Sequence, residues 1–403
     1  MEYKPLSKYV KLSQGLAINK QTEHLVSNKK SEQFIYPLLR IADMMNKKYN
    51  KYISKDVNNS VIANKKSIIY TRTGQIGLVF RGFAGVVHNN SFIVNLTSDE
   101  ITEDYLYAIL QTDFVRSQAL KFAKNSVQPD LTHEMFKSIV IPVPDKRTQE
   151  KISKFILNIK DKINNLNKYN TTLYYSSMNI FKYMFRNNNY PKNIKTILNQ
   201  EVKEFLPSSW KIENYKDNSL YTIVSPGIEY FDKKIYLATA DVNGTEITGG
   251  KEITYDNRET RANMQPSENT IWFAKMKNSI KHLFFGNYSS KDIDAYILST
   301  GFLGIKAKKD FYFEYLISII HEPVFEIIKD KFSHGATQEA INNSDLKYIS
   351  LIVPDDQSLL EYHNITKDLF KQIYYNSKEI ELLSKAINDF LPLLMNGQSK
   401  IGD

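Results

Sequence analysis

Two His-Glu dipeptides in the sequence carry residue types that could bind a metal ion. They stand at 133–134 and 321–322 and match the start of the HExxH motif, whose two histidines bind zinc from one helix face. The motif needs its second histidine four residues after the first, where this sequence has Lys137 and Phe325. The seven histidines are scattered and cysteine is absent, so we expect no metal site, no disulfide and no thiolate nucleophile.

Two glycine-rich stretches contain residue types that can cradle a phosphate. Residues 244–251 (GTEITGGK) resemble a phosphate-binding loop, but the lysine comes one residue late. Glu252 also replaces the serine or threonine that would hold Mg²⁺. Residues 73–77 (TGQIG) contain only a single GxxG, which is common in turns. Both stretches are therefore predicted to be turns and not nucleotide sites.

Motifs for chemistry on DNA are also missing. An adenine methyltransferase needs an NPPY- or DPPY-like loop to hold the target amine, and the sequence has no Pro-Pro dipeptide. No strand-to-helix GxGxxG offers a dinucleotide site, and no paired-carboxylate-plus-lysine nuclease motif stands out. The sequence therefore argues against catalysis by this chain alone, and we expect no cofactor to bind to it.

The composition is that of a globular protein with two or three domains. The 403 residues are 42% hydrophobic and 24% charged. No apolar run approaches the ~18 residues of a membrane span, and the first ten residues lack the apolar stretch of a signal peptide. We therefore expect no membrane association, and the lack of cysteine fits a cytoplasmic protein.

An internal repeat pairs residues that are 210 positions apart. Residues 127–145 and 337–355 share Gln, Lys, Ile and a final Val-Pro-Asp at this offset, and identities continue upstream to Phe92 and Phe302. Repeats of this kind predict a duplicated structural unit. We expect strands at 35–41, 67–72, 76–80 and 91–96, with counterparts at 234–242, 270–276 and 301–307. Helical segments should follow near 103–123 and 313–330.

Upstream of this stretch the two halves diverge, and their basic residues lie there. Residues 66–77 align with 269–280 at an offset of 203, which pairs Arg72 with Lys275. The net charge of +9 favours a polyanionic partner, and interleaved Asn, Gln and Tyr suit phosphate and base-edge contacts. An ordinary solvated surface is the alternative for any single residue. The predicted DNA-binding residues are Arg40, Lys65, Lys66, Arg72, Gln75, Arg81, Lys233, Lys234, Arg258, Arg261, Lys275, Lys277 and Lys281.

A long helix is predicted to close each half. Mostly apolar residues from 152 to 184 alternate spacings of four and three, a period of 3.5 that is typical of coiled coils. Adding 210 gives a second seam from 362 to 394. If the helices are antiparallel about an axis near residues 168 and 378, facing residue numbers sum to 546, and Asn170 faces Asn376. The predicted contacts are Ile152, Ile159, Leu166, Asn170, Leu173, Ile373, Asn376, Ile380, Ile387 and Leu394.

The order of several short motifs, duplicated in one chain, resembles the specificity subunit of type I restriction–modification enzymes. The motifs are RTGQIG at 72–77, IPVP at 141–144 followed by Gln149, LPSSW at 206–210, GATQ at 335–338 and LPLLMNGQ at 391–398. The resemblance covers nearly the whole chain. Two departures from the family pattern are SVQP at 126–129 and DDQ at 355–357.

The resemblance implies an α+β fold in a pseudo-two-fold duplicated chain. Two globular mixed α/β target-recognition domains would be separated by two long antiparallel coiled-coil helices. The predicted boundaries are 1–146 for target-recognition domain 1, 147–187 for the central spacer helix, 188–355 for target-recognition domain 2 and 356–398 for the C-terminal spacer helix.

The resemblance also implies partners. The chain would read a bipartite target in double-stranded DNA and dock two methyltransferase (modification) subunits, which bind S-adenosylmethionine. Through them it would reach restriction subunits. A two-fold repeat fits this, because it can offer two similar surfaces to two copies of one partner.

Two other functions remain open at the level of the sequence. Within the family, the chain could serve a methyltransferase-only or type II-like system that lacks a translocating nuclease. From another class, a non-enzymatic coiled-coil adaptor would bind protein only and owe its charge to a lysine-rich composition. A salt titration separates the adaptor from a DNA reader.

Overall fold

The computed structural model describes residues 2–123, 129–186, 196–199, 204–335 and 339–395. It divides into two compact units, one formed by Met1–Asn165 with Glu379–Asp403 and the other by Leu166–Lys378. The resemblance-based fold class is confirmed, since each unit mixes sheets with helices and long helices connect them along the chain. No helix among the described residues is long and apolar enough to span a membrane.

The first half of the chain contains eleven described strands and four short helices before its long helix. The strands are β1 (Glu2–Pro5), β2 (Val10–Gln14), β3 (Val26–Ser27), β4 (Phe34–Leu39), β5 (Tyr52–Ser54), β6 (Ile62–Ala63), β7 (Ile68–Thr71), β8 (Val79–Phe80), β9 (Gly85–Val87), β10 (Ser91–Leu96) and β11 (Val140–Val143). The helices are α1 (Ile41–Asn46), α2 (Glu103–Leu110), α3 (Asp113–Ala123), α4 (His133–Lys137) and the 40-residue α5 (Lys146–Phe185).

The second half follows a similar order. Its described strands are β12 (Thr196–Asn199), β13 (Glu204–Pro207), β14 (Lys211–Asn214), β15 (Tyr221–Ile223), β16 (Lys234–Leu237), β17 (Val242–Asn243), β18 (Glu246–Ile247), β19 (Lys251–Ile253), β20 (Ala262–Met264), β21 (Thr270–Ala274), β22 (His282–Phe285), β23 (Tyr296–Ser299), β24 (Phe302–Ala307) and β25 (Ser350–Val353). Its helices are α6 (Ser290–Ala295), α7 (Phe313–His321), α8 (Pro323–Phe332) and the 40-residue α9 (Asp356–Met395).

The sheets of the two halves have matching strand orders. Each half has an antiparallel four-stranded sheet, β2-β10-β7-β8 in the first and β15-β24-β21-β22 in the second. A neighbouring sheet contains one parallel pair in each half, β4 with β9 and β16 with β23. A two-stranded ladder, β1-β11 or β14-β25, ties the start of each half to the strand before its long helix. The duplication predicted from the sequence is therefore present in the fold.

Burial explains why the central strands are apolar throughout. Every residue of β7 and of β21 is buried, because both faces of the strand are covered. A continuous run of β-branched and aromatic residues is the pattern expected of such a strand. In the first unit Tyr70 packs with the rings of Phe92 and Phe136, at centroid distances of 5.8 and 4.7 Å.

The helical segments predicted near 103–123 and 313–330 are each two helices. In the first, α2 ends at Leu110 and α3 begins at Asp113. Between them the Thr112 hydroxyl donates to the Ile109 carbonyl at 2.7 Å. In the second, Pro323 has no N–H to continue α7 and instead occupies the first turn of α8. The apolar periodicity continues through both breaks, which is why the sequence pattern did not reveal them.

The long helices α5 and α9 pack against each other in an antiparallel arrangement inside both units. In the first unit Ile152, Ile156 and Leu394 belong to one buried cluster. In the second unit the ring of Tyr362 packs on Phe181 and Phe185 at centroid distances of 6.2 and 5.3 Å. The other predicted seam residues are buried or partly buried, namely Ile159, Leu166, Leu173, Ile373, Ile380 and Ile387.

The pairing of Asn170 with Asn376 is found in the structure. Asn376 Nδ2 donates to Asn170 Oδ1 at 2.8 Å, and Asn376 is buried. The two amides do not exchange a second hydrogen bond, because Asn376 Oδ1 accepts from Gln372 Nε2 at 2.8 Å. Asn170 Nδ2 instead donates to Ser377 Oγ at 3.4 Å. One polar layer in an apolar seam favours a single register.

One seam position predicted by the 3.5-residue period is wrong. Phe390 was expected to face Ile156, but its side chain is 50% exposed, whereas Leu394 is buried. A straight helix with 3.6 residues per turn drifts by about 20° per heptad relative to a strict 3.5 repeat. Leu394, one turn further along, keeps the predicted orientation, so drift along the helix does not account for the exposure of Phe390.

Replacing Asn170 by alanine should destabilise the helix pair. The variant leaves the buried Asn376 amide without its acceptor, which costs about 1–3 kcal/mol. We expect a lower urea midpoint for Asn170→Ala, followed by circular dichroism at 222 nm. Asn167→Ala, an exposed position on the same helix, should stay within about 0.5 kcal/mol of the parent. An Asn170→Ala chain as stable as the parent would show that the amide pair contributes nothing to stability.

Candidate DNA interface

Two hairpin loops occupy equivalent positions in the two halves. The first hairpin loop, residues 72–78, joins β7 to β8, and the second hairpin loop, residues 275–281, joins β21 to β22. Each begins directly after the central strand of its four-stranded sheet. Six of the thirteen predicted DNA-binding residues lie in these loops or within three residues of them, namely Arg72, Gln75, Arg81, Lys275, Lys277 and Lys281.

Backbone hydrogen bonds show that Arg72 and Lys275 are structural equivalents. The Arg72 and Lys275 amides donate to the carbonyls of Asn90 and Gly301, at 2.9 and 3.0 Å. Their own carbonyls accept from the amides of Leu131 and Ile341, both at 3.0 Å. Since Leu131 and Ile341 are 210 residues apart, both loops are anchored to the same two parts of the repeat.

The two equivalent residues differ in how their charge is compensated. Arg72 forms an ion pair with Asp130, and its Nε donates to the Leu131 carbonyl at 3.4 Å. The repeat partner of Asp130 is Ala340, so Lys275 lacks a carboxylate there, and it forms no ion pair with any described residue. Burial lowers the pKa of Lys275 from its usual value.

Acidic neighbours also compensate two other arginines of the first half. Arg40 Nε lies 2.7 Å from Asp43 Oδ2, and this hydrogen bond raises the pKa of Arg40. Arg81 Nη1 lies 2.5 Å from Asp104, and its guanidinium stacks 4.0 Å from the Tyr107 ring centroid. By contrast, Lys65 and Lys66 are exposed in a turn and form no ion pair with any described residue. Gln75 is exposed in the first hairpin loop.

Three basic residues of the second half have a side-chain or backbone contact at Thr239 or Gly301. Lys281 Nζ donates to the Thr239 carbonyl. A Cβ placed on Gly301 would lie 3.1 Å from Thr239 Cγ2 and 3.4 Å from Arg261 Nη2, and the backbone amide of Lys275 donates to the Gly301 carbonyl. We call Arg261, Lys275 and Lys281 the basic cluster. Sequence spacing could not reveal it, because its members come from three separate strand ends.

The remaining cations of the second half do not join the basic cluster. Lys233 pairs with Glu252 at 2.7 Å, and Lys277 pairs with Glu339 at 2.8 Å. Lys234 Nζ donates to Gln265 Oε1 at 3.2 Å, and burial lowers the pKa of Lys234. Arg258 stacks 3.9 Å from the ring centroid of Tyr255. Lys233 and Lys234 stand at the end of β16 away from Thr239.

Exposed apolar side chains follow the two long helices. On the part of α5 in the second unit, Tyr169, Tyr175 and Tyr183 are between 50% and 61% exposed. Nearby, Tyr183 and Ile365 help to line a groove of about 370 Å³ between α5 and α9. Exposed apolar patches of this kind mark sites of protein interaction. Gln128 and Gln338, the glutamines that the repeat shares, lie outside the described residues.

No described residues assemble into a metal site. No group of three or more His, Asp or Glu side chains lies close enough among them to hold an ion. The His-Glu pairs noted in the sequence fall on separate elements: His133 begins α4, and His321 ends α7. Burial lowers the pKa of His321 to about 3, so its ring is neutral at ordinary pH.

Two sequence comparisons and one fold comparison with known proteins agree with one another. A family model described as "Type I restriction modification DNA specificity domain" matches residues 7–174. The type I restriction enzyme MjaIX specificity subunit of Methanocaldococcus jannaschii is 23% identical over 346 residues, which cover 84% of this chain and 78% of that protein. The type I restriction–modification S subunit from M. genitalium has a similar fold, with a TM-score of 0.54 at 12% identity, over 100% of this chain and 96% of that one.

The two halves therefore share one fold and an equivalent hairpin loop that begins with a basic residue. The chain is similar to the specificity subunits of type I restriction–modification systems. Its role in such a system is to recognise DNA.

Removing the charge at the equivalent loop positions should weaken DNA binding. If Arg72 or Lys275 contacts a phosphate, its replacement by alanine weakens binding to all sequences and lowers the salt slope by about 1. If it contacts a base, one position of the target is relaxed at a cost of about 1–3 kcal/mol. Lys168→Ala removes one charge from an exposed site on α5 and should change neither. Fluorescence anisotropy on duplex DNA at several salt concentrations distinguishes these outcomes, and unchanged affinity and specificity in both variants would exclude the loops as the interface.

Proposed function

We propose that this chain reads a bipartite target in double-stranded DNA, with each half reading one of the two parts. The observation that carries this proposal is the equivalence of the two hairpin loops, which begin with Arg72 and Lys275. The loops have the same backbone anchors but different side chains and different charge compensation. Equivalent frames with different contact residues are what two distinct sequence elements require.

Methyltransferase subunits are the proposed protein partners. The exposed tyrosines of α5 and the groove lined by Tyr183 and Ile365 support a docking surface on the helix pair. The duplicated fold supports two copies of the partner, since it repeats one surface within one chain. Restriction subunits would join through the methyltransferase subunits, in the cytoplasm where the DNA is accessible.

The proposed division of labour leaves chemistry to the partners. The sequence lacks the target-amine loop of adenine methyltransferases. S-Adenosylmethionine would be bound by the methyltransferase subunits, which would also transfer the methyl group. This chain would select the sequence at which transfer occurs.

Salt dependence tests the DNA-binding part of the proposal against a protein-only adaptor. With six or more phosphate contacts, affinity for duplex DNA should fall by roughly 10³-fold between 50 and 200 mM salt. A duplex that contains the target should remain preferred across this range. Weak binding without salt dependence or sequence preference would favour the adaptor.

The methyltransferase assay tests the absence of catalysis in this chain. Purified chain incubated with tritiated S-adenosylmethionine and genomic DNA should transfer no methyl groups. Adding the cognate methyltransferase subunits should produce transfer, because they supply the missing cofactor site. Methyl transfer by the chain alone would refute the proposed division of labour.

A further inference from the structure

A lysine on α8 is completely buried beneath the second hairpin loop. Lys329 has no exposed surface, and its Nζ donates to the carbonyls of Ser279 at 3.0 Å and Ala274 at 3.3 Å. The same Nζ lies 2.6 Å from Glu326 Oε2. Because burying a charge is costly, a lysine in this position needs the full set of partners that it has here.

The partners of Lys329 lie at the two ends of the loop. Ala274 is the last residue of β21, and Ser279 stands near the start of β22. A single ammonium group therefore holds the segment that carries Lys275 and Lys277 in a closed conformation. The next residue on α8 adds a third attachment, since Asp330 accepts hydrogen bonds from the Asn278 amide at 3.1 and 3.2 Å.

The attachment at Asn278 stabilises an unusual backbone conformation. Asn278 has a φ of 56°, in the left-handed region that few residues other than glycine and asparagine adopt. The strand after the loop is fixed by the same helix, because His282 Nε2 lies 2.9 Å from Glu326 Oε1. Hydrogen bonding to His282 and Lys329 outweighs the effect of burial and lowers the pKa of Glu326.

The first half closes its loop by a different device. Thr71, which aligns with Ala274, donates from its hydroxyl to the Gln75 carbonyl and accepts from the Leu78 amide at 2.9 Å. The repeat partner of Lys329 is Ala119, which is buried and apolar. A polar side chain at the base of the loop is thus supplied by the strand in the first half and by helix α8 in the second.

We infer that Lys329 is the positioning residue that sets the conformation of the second hairpin loop and thereby the DNA sequence read by the second half. This inference rests on the proposed function, because it assigns DNA reading to the loop. Lys329 is buried and cannot touch DNA itself. Its effect passes through Lys275, which follows the bonded carbonyl of Ala274, and through Lys281 at the other end of the loop.

The test is target selection from a pool of duplexes with a randomised 40-base-pair segment. The probe is bound by the full chain together with its methyltransferase subunits, and the selected duplexes are sequenced. Lys329→Met keeps the length of the side chain but removes its three donors. We expect it to degrade one part of the selected motif, the part that Lys275→Ala also degrades, and to leave the other part intact. Affinity for the parent's selected duplex should fall about tenfold, the size of one lost base-pair contact.

A matched control separates position from charge. Lys331→Met removes the same charge two residues along α8, where the lysine is exposed, and should keep both parts of the motif. An unchanged motif in Lys329→Met would overturn the inference. Equal loss of both parts would also overturn it, because it would show that Lys329 supports the fold as a whole and not one loop.

Amide hydrogen exchange distinguishes failure of this inference from failure of the proposed function. In Lys329→Met, exchange should become at least tenfold faster at residues 276–281 and stay unchanged at residues 72–78. Unchanged exchange in the second loop would contradict the anchoring role, whatever the DNA result. If instead the parent chain selects no motif while exchange responds as expected, the anchor exists and the proposed DNA reading is wrong.

Discussion

The antiparallel pairing of the two 40-residue helices is the constraint on which both units depend. Each unit takes one segment from α5 and one from α9, so neither unit has a complete core until the two helices have met. Leu394 completes the cluster around Ile152, and Tyr362 completes the one around Phe185. An apolar seam alone tolerates a shift by one heptad, whereas the hydrogen bond between Asn170 and Asn376 forms in one register.

A constant frame with variable attachments follows from this arrangement. The strand orders and the backbone bonds of Arg72 and Lys275 are the same in both halves, as expected of elements that hold the fold. Around them the side chains differ: Asp130 forms an ion pair with Arg72, whereas Lys275 forms no ion pair with any described residue. A duplicated chain can in this way keep one architecture while its two halves present different chemistry to DNA.

The repeat and the helix seams could be predicted from the sequence because both depend on regular spacing. The same regularity placed Asn170 opposite Asn376, and a local alignment at an offset of 203 placed Arg72 at the position of Lys275. Charge compensation was missed, because Arg72 and Asp130 are 58 residues apart and nothing local links them. Lys329 was missed for a similar reason: a lysine in a helical pattern reads as a solvated residue, and only the mismatch with Ala119 in the repeat hints that it is buried.

The central proposal is that this chain selects the DNA sequence at which a partner acts. The most direct measurement is single-molecule methylation profiling of the host genome, with and without the gene for this chain. We predict a methylated motif of two fixed parts separated by a gap without sequence preference, which disappears when the gene is removed. An unchanged methylation pattern, or the loss of a single undivided motif, would contradict the claim.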